Sequence, residues 1–351
     1  MSAHLAKTLS APPTSTTLPC VALLATGGTI AGVAATPLEQ ISYQAGVLPV
    51  ERILESLPGI EGVARIMGVQ WDNLPSENIT PEHWAILGKK CEDLLHNEDI
   101  HGLTLTHGTD TLEETAFYLD LVLPPGKPVV LTGAMRPATS LSADGPINIR
   151  DAVAVAACPA ACGRGVLLVM NGRILSARTA VKVSTLDVEA FRALESGCLG
   201  RVINGEVQFY HGNEHASPLS GACAAQSNRA LLPRVDILYA CAGMPTDMVT
   251  ASLKRAQGLV LAGMGNGSMP DWIHQPLHTA IAQGFPVVRT SRTGSGPVTP
   301  LAEYPDFLPG GMLSPTKARV LLMLALAATE TLTSSIRTKR LQWFFTVGGQ
   351  L

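Results

Sequence analysis

Charge is scarce in this chain. Asp, Glu, Lys and Arg supply 15% of its 351 residues, against roughly 25% in an average soluble protein. The formal net charge is −3, and no basic run exceeds a pair such as Lys89-Lys90 or Lys339-Arg340. Neutralising phosphates needs clustered Lys and Arg, so the sequence argues against a nucleic-acid partner. No CxxC pair occurs among the seven cysteines, and Cys158 and Cys162 have no paired His or Cys at zinc-finger spacing nearby. The expectation is of small buried hydrophobes in a reducing compartment, with no metal. The first residues, MSAHLAKTLSAPPTSTTLP, lack the apolar stretch of a secretory signal. That favours the cytoplasm over the periplasm, which would require a signal already removed. The longest strongly apolar stretch, Val320 to Ala328, is too short to span a bilayer, so no membrane partner is expected.

What is present is a repeating pattern of short apolar runs that stop at glycine. Cys20 to Ala25 stops at Gly27-Gly28, and Gly102 to Thr106 at His107-Gly108. Pro128 to Thr132 stops at Gly133, and Gly165 to Met170 at Asn171-Gly172. Helical patterns lie between them at 80–95, 112–121 and 143–157. Short buried strands alternating with helices predict an α/β fold with a mostly parallel sheet. A turn-rich stretch at 211–232 reads as a linker. A second set of strands follows at 235–239, 259–262 and 286–290, with helices at 248–257, 274–283 and 315–329. Ser314 is the expected N-cap of the last helix, with Pro315 at its first position. The expected organisation is a loose extension over 1–18, a larger α/β domain over 19–210, the linker, and a smaller α/β domain over 233–351.

In such sheets functional residues gather at the carboxyl ends of strands. Two of these ends carry hydroxyls beside glycines: Thr26-Gly27-Gly28-Thr29 and Thr106-His107-Gly108-Thr109-Asp110. The glycine clusters do not fit a nucleotide site. Gly27-Gly28-x-x-x-Gly32 departs from G-x-G-x-x-G, Gly263-Met264-Gly265-Asn266-Gly267 lacks the third glycine at the needed spacing, and no Walker loop occurs. A threonine hydroxyl needs a base before it can act as a nucleophile. No Ser/His/Asp triad is evident, and His107 alone reads as structural. Lys182, among apolar and hydroxyl neighbours, could serve as a base if partly buried, although a solvated lysine is the ordinary alternative.

The motifs ATGGTIAG at 25–32, THGTDTLEETA at 106–116 and GAMRPATSLSADGPIN at 133–148 resemble the bacterial-type L-asparaginase family, which includes the glutaminase-asparaginases. The similarity continues through AGMGNGS at 262–268 and fades near Ala328. It implies a flavodoxin-like larger domain and a Rossmann-like smaller one. It also implies hydrolysis of L-asparagine to L-aspartate and ammonia through an acyl-enzyme, with secondary action on L-glutamine and no cofactor. By position, Thr29 matches the first nucleophilic threonine and Tyr43 the tyrosine that assists it from a closing loop. Thr109, Asp110 and Lys182 match the second threonine and its partners. Gly28, Ser76, Glu77 and Ala134 match substrate-contacting positions. Ser268 and Glu303 match residues that reach the site from a neighbouring subunit, which implies a homotetramer, a dimer of dimers. Several family members have Asn where this chain has Ser268, and Gln where it has Glu77. The tail, 329–351, has no assigned role, and its Gln342-Trp343-Phe344-Phe345 reads as exposed. Two other readings share these motifs: the amidase subunit of a tRNA-dependent amidotransferase, disfavoured by the absence of a basic cluster, and a non-catalytic amino-acid binder, disfavoured by the full nucleophile set.

Overall fold

The computed structural model describes residues 18–210, 219, 223–226, 229 and 231–350. The expected extension therefore lies almost wholly outside the described residues, and so does most of the expected linker.

The chain runs through β1 (Cys20–Ala25), β2 (Val33–Ala34), β3 (Tyr43–Gln44), α1 (Val50–Glu55), β4 (Arg65–Gln70), α2 (Pro81–His96), β5 (Gly102–Thr106), α3 (Leu112–Val122), β6 (Val129–Thr132), α4 (Gly145–Ala157), β7 (Val166–Met170), β8 (Arg173–Ser176), β9 (Val181–Lys182), β10 (Phe191–Arg192), β11 (Gly200–Ile203) and β12 (Glu206–Phe209). Eight of these strands form one sheet, in the order β12-β11-β8-β7-β6-β5-β1-β4. From β4 to β7 every pairing is parallel. Numbered by their own succession, these five strands stand in the order 2-1-3-4-5, which is the flavodoxin-like arrangement. Strands β8, β11 and β12 extend the sheet antiparallel.

β1 shows why the parallel core reads as unbroken apolar sequence. Its side chains alternate between two covered faces: Ala22 and Leu24 enter one core, and Val21, Leu23 and Ala25 the other. α4 packs on β1, β5, β6 and β7 from the second face. Four all-parallel strands make the smaller sheet: β13 (Val235–Tyr239), β14 (Gly258–Gly263), β15 (Val287–Ser291) and β16 (Leu308–Pro309). Helices α5 (Thr246–Arg255), α6 (Asp271–Ala282), α7 (Pro315–Ala328) and α8 (Ser334–Gly348) accompany it. The Ser314 hydroxyl accepts the Lys317 N–H and caps α7 as expected. α7 packs on both β14 and α3, so one apolar core runs across the two sheets. No helix among the described residues is long and apolar enough to cross a membrane.

Two expectations need correction, whereas Asn171-Gly172 ends β7 as expected, at the same edge as β1, β5 and β6. Both residues have positive φ, 50° and 66°, and they form the two-residue turn that folds β7 onto β8. The tail is not exposed at its aromatics: it forms α8, whose Phe344 and Phe345 are buried in the main core. The cysteines divide rather than burying together. Cys91 and Cys223 are buried, whereas Cys162 and Cys241 are exposed.

Candidate active site

The chain leaves β1 toward β4 on one side, and the next parallel strand, β5, lies on the other. The carboxyl ends of β1 and β5 therefore flank the switch point of the sheet, where open α/β folds bind ligands. The loops after these two strands touch. Gly28 has φ 82°, and a Cβ built on it would lie 2.4 Å from both the N and Cα of Gly108. A Cβ on Gly108 would in turn lie 2.6 Å from Ser76 Oγ. Only glycine fits at both places, and the threonines that follow each, Thr29 and Thr109, are presented from contacting backbones.

Thr29 is buried at the start of a 3-10 turn, Thr29–Ala31. Its Oγ1 is 2.7 Å from the Tyr43 hydroxyl. The β2–β3 hairpin sets this distance by pairing Ala34 with Tyr43, and the Gly46 N–H closes the loop onto Gly28 O at 3.1 Å. The tyrosine ring lies over Gly32, where a Cβ would meet Cδ2 at 2.9 Å.

Thr109 is 5% exposed. Lys182 Nζ donates to Thr109 Oγ1 at 2.8 Å and to Asp110 Oδ1 at 2.6 Å. The lysine side chain is 18% exposed and that of Asp110 61%. The carboxylate therefore holds the lysine while keeping one face open to a ligand. The solvated lysine of the sequence reading is thus replaced by a largely buried, doubly engaged one. Ser76 is buried between the loops, accepting the Asp110 N–H on its Oγ at 3.2 Å and the Thr111 hydroxyl on its carbonyl at 2.8 Å. Its neighbour Glu77 is exposed. Ala134, fully buried, sits in the loop after β6. That loop is fixed by Asp144, which accepts the N–H groups of Met135 and Arg136, and by Asn148, which donates to Gly133 O.

His107 is buried between these loops. Its Nδ1 lies 2.7 Å from Gly108 O, an acceptor, so the proton sits on Nδ1. Burial pushes its pKa down to about 4, against that carbonyl's opposing pull. Ser268 and Glu303 are exposed on loops of the smaller unit, and no hydrogen bond among the described residues joins either to the threonines. No group of His, Cys, Asp or Glu among the described residues is arranged to hold a metal ion.

Two supporting residues went unread in the sequence. Glu113 accepts the backbone N–H of Lys182 at 2.6 Å. Lys317, fully buried on α7, donates to the carbonyls of Arg178 at 2.9 Å and Ala180 at 2.5 Å, just upstream of Lys182. Burial pushes Lys317 down to about 8.

The chain is similar to known proteins over most of its length. Residues 20–215 match the family described as Asparaginase, N-terminal, and residues 234–338 match the Glutaminase/Asparaginase C-terminal domain. The chain belongs to the asparaginase family. It is 42% identical over 317 residues to L-asparaginase 2 of Bacillus subtilis (strain 168), covering 89% of this chain and 84% of that one. A glutaminase-asparaginase of Pseudomonas aeruginosa is 37% identical over 330 residues, covering 92% and 90%. The crystal structure of a probable cytoplasmic L-asparaginase from Campylobacter jejuni superposes with a TM-score of 0.85 at 37% identity, covering 94% of this chain and 99% of that one.

Proposed function

We propose that the chain hydrolyses the side-chain amide of L-asparagine to L-aspartate and ammonia, with slower action on L-glutamine. The observation that carries this reading is the contact of Lys182 with Thr109 and Asp110, beside a second threonine already paired with a tyrosine. Two hydroxyls, each with its own polar partner, suit a reaction in two acyl-transfer steps.

In the first step Thr29 Oγ1 attacks the carboxamide carbon, and its proton leaves along the 2.7 Å contact to Tyr43. That proton passes to the leaving nitrogen, the C–N bond breaks and ammonia departs, leaving an ester on Thr29. In the second step water attacks the ester, the Thr109–Lys182 pair draws off its proton, and the bond to Thr29 Oγ1 breaks as that oxygen regains a proton and L-aspartate leaves. The open carboxylate of Asp110 meets the substrate ammonium, a charge-assisted contact. Ser76 and Glu77 take the rest of the polar head, Gly28 gives room beside it, and the Ala134 backbone faces the leaving amide.

Ser268 and Glu303 complete the site of a neighbouring copy in a homotetramer, a dimer of dimers. Their exposure, on loops unconnected to this chain's own threonines, supports that reading. The two α/β domains divide within 211–232.

Ammonia release from both amides tests the proposal. The wild type should turn over asparagine faster than glutamine, and Thr29→Ala should lose several orders of magnitude, as loss of a covalent nucleophile does. Equal rates for the wild type and Thr29→Ala would refute it.

A further inference from the structure

Behind the Thr109–Lys182 pair lies a carboxylate that touches neither threonine. Glu113, half-buried in the first turn of α3, accepts the Lys182 N–H on Oε2 at 2.6 Å. Its Oε1 accepts the hydroxyl of Thr316 at 3.0 Å. Thr316 belongs to the first turn of α7, in the smaller unit. One side chain thus joins the helix after β5, the strand that carries Lys182, and a helix from the other sheet.

The strand needs that support. β9 is only two residues long and pairs with the equally short β10, Lys182 opposite Phe191. So short a ladder holds a backbone weakly. The lysine ammonium stands at the end of a flexible four-carbon stem, so a tilt of the strand is magnified at Nζ. Lys317, beside Thr316, fixes the same segment from upstream through the carbonyls of Arg178 and Ala180. Arg178 itself donates to the carbonyls of Val347 and Gly348 at the end of α8. The segment that carries Lys182 is therefore seated on the junction between the two sheets.

We infer that Glu113 is a positioning residue: it sets the backbone of Lys182 so that Nζ reaches Thr109 Oγ1, and through Thr316 it ties that reach to the seating of α7. The inference rests on the proposed role of Lys182 in amide hydrolysis. Its content is geometric, because Glu113 contacts the lysine backbone and not the ammonium. Glutamine can keep the geometry without the charge. Its amide oxygen can accept the Lys182 N–H while its NH2 donates to Thr316 Oγ1, whose own proton can turn to Ser314 Oγ, 3.0 Å away.

The test is steady-state kinetics on L-asparagine for the wild type, Glu113→Ala, Glu113→Gln, Thr316→Val and Lys182→Met, each checked by thermal unfolding. Glu113→Ala should lose between about tenfold and about a hundredfold in kcat with KM within about twofold, the scale of a misplaced catalytic group. Glu113→Gln should recover most of that loss, and Thr316→Val should show a smaller drop in kcat. If Lys182→Met is inactive while Glu113→Ala keeps wild-type kcat, or loses activity through KM alone, the inference fails and the proposed function stands. An active Lys182→Met overturns both. Should Glu113→Ala not fold, the other two variants decide. Glu113→Gln as inactive as Lys182→Met, or Thr316→Val with wild-type kcat, overturns the positioning role.

Discussion

Thr109 and Lys182 lie 73 residues apart in the chain, yet Nζ stands 2.8 Å from Oγ1. Asp110 Oδ1 accepts from the same Nζ at 2.6 Å. The three groups form a compact unit in which hydroxyl and carboxylate both depend on one lysine. A guanidinium is larger, planar and effectively never deprotonated, so it cannot take over as a base. Lys182→Arg should therefore lose at least about a hundredfold in kcat, within the range for removal of a proton-transfer group. Ammonia-release kinetics at saturating asparagine check this.

Tyr43 meets Thr29 through a single contact, oxygen to oxygen. Tyr43→Phe keeps the ring over Gly32 and removes only the hydroxyl. The expected outcome is a fall in kcat of roughly a hundredfold with little change in thermal stability. A variant with wild-type kcat would remove Tyr43 from the proton path.

Gly28 is required by space as well as by backbone angle. A Cβ there would press on Gly108 at 2.4 Å, with φ at 82°. Gly28→Ala should push the two threonine loops apart. Its signature should be loss of turnover together with a lower unfolding temperature, read by ammonia release and by circular dichroism.

His107 makes stability depend on pH. Its folded pKa, about 4, is depressed from 6.5, so the native state binds fewer protons than the unfolded chain between those values. Its contribution is fully present above pH 6.5 and is lost as pH falls toward 4. A shift of that size is worth about 3 kcal/mol. His107→Asn, which keeps a donor near Gly108 O, should flatten the acid limb of stability measured by urea unfolding between pH 4 and 6.5. A limb unchanged in that variant would mean the proton uptake belongs elsewhere.

Phe344, fully buried on α8, packs into the core that α7 shares with the smaller sheet. Phe344→Ala should cost about 3–5 kcal/mol in chemical unfolding, as for other buried Phe truncations. A cost near zero would restore the reading of the tail as a free end.

Much of this was legible in the sequence, and for physical reasons. Strands buried on both faces, such as β1 and β7, read as unbroken apolar runs. Strand β4 was missed because it is the sheet edge, with no fully buried residue, irregular exposure and a glycine at Gly68, so no clear period survives. The antiparallel extension was missed although its signals were present. Asn171-Gly172 and Asn204-Gly205 both carry positive φ and both make two-residue hairpin turns. The helical tail was missed because its buried face, Leu341, Phe344, Phe345 and Gly348, lies only in its second half, after the mostly polar Ser334 to Arg340.

The threonines, Tyr43, Asp110 and Lys182 were legible through motif resemblance, and the folded chain brings them into two contacting groups. Glu113 and Lys317 were not, although Glu113 lies inside a quoted motif. An acidic residue in the first turn of a helix ordinarily reads as a favourable helix end. Only the fold shows that its partner is the backbone of Lys182.

The division of labour between the two threonines is tested most directly by locating the acyl group. The protein is mixed with L-asparagine, quenched rapidly in acid, digested, and its peptides mapped by mass spectrometry. The account predicts an aspartyl adduct on the peptide that contains Thr29, absent in Thr29→Ala and accumulating further in Thr109→Ala. An adduct on Thr109, or sustained ammonia release by Thr29→Ala, would contradict it.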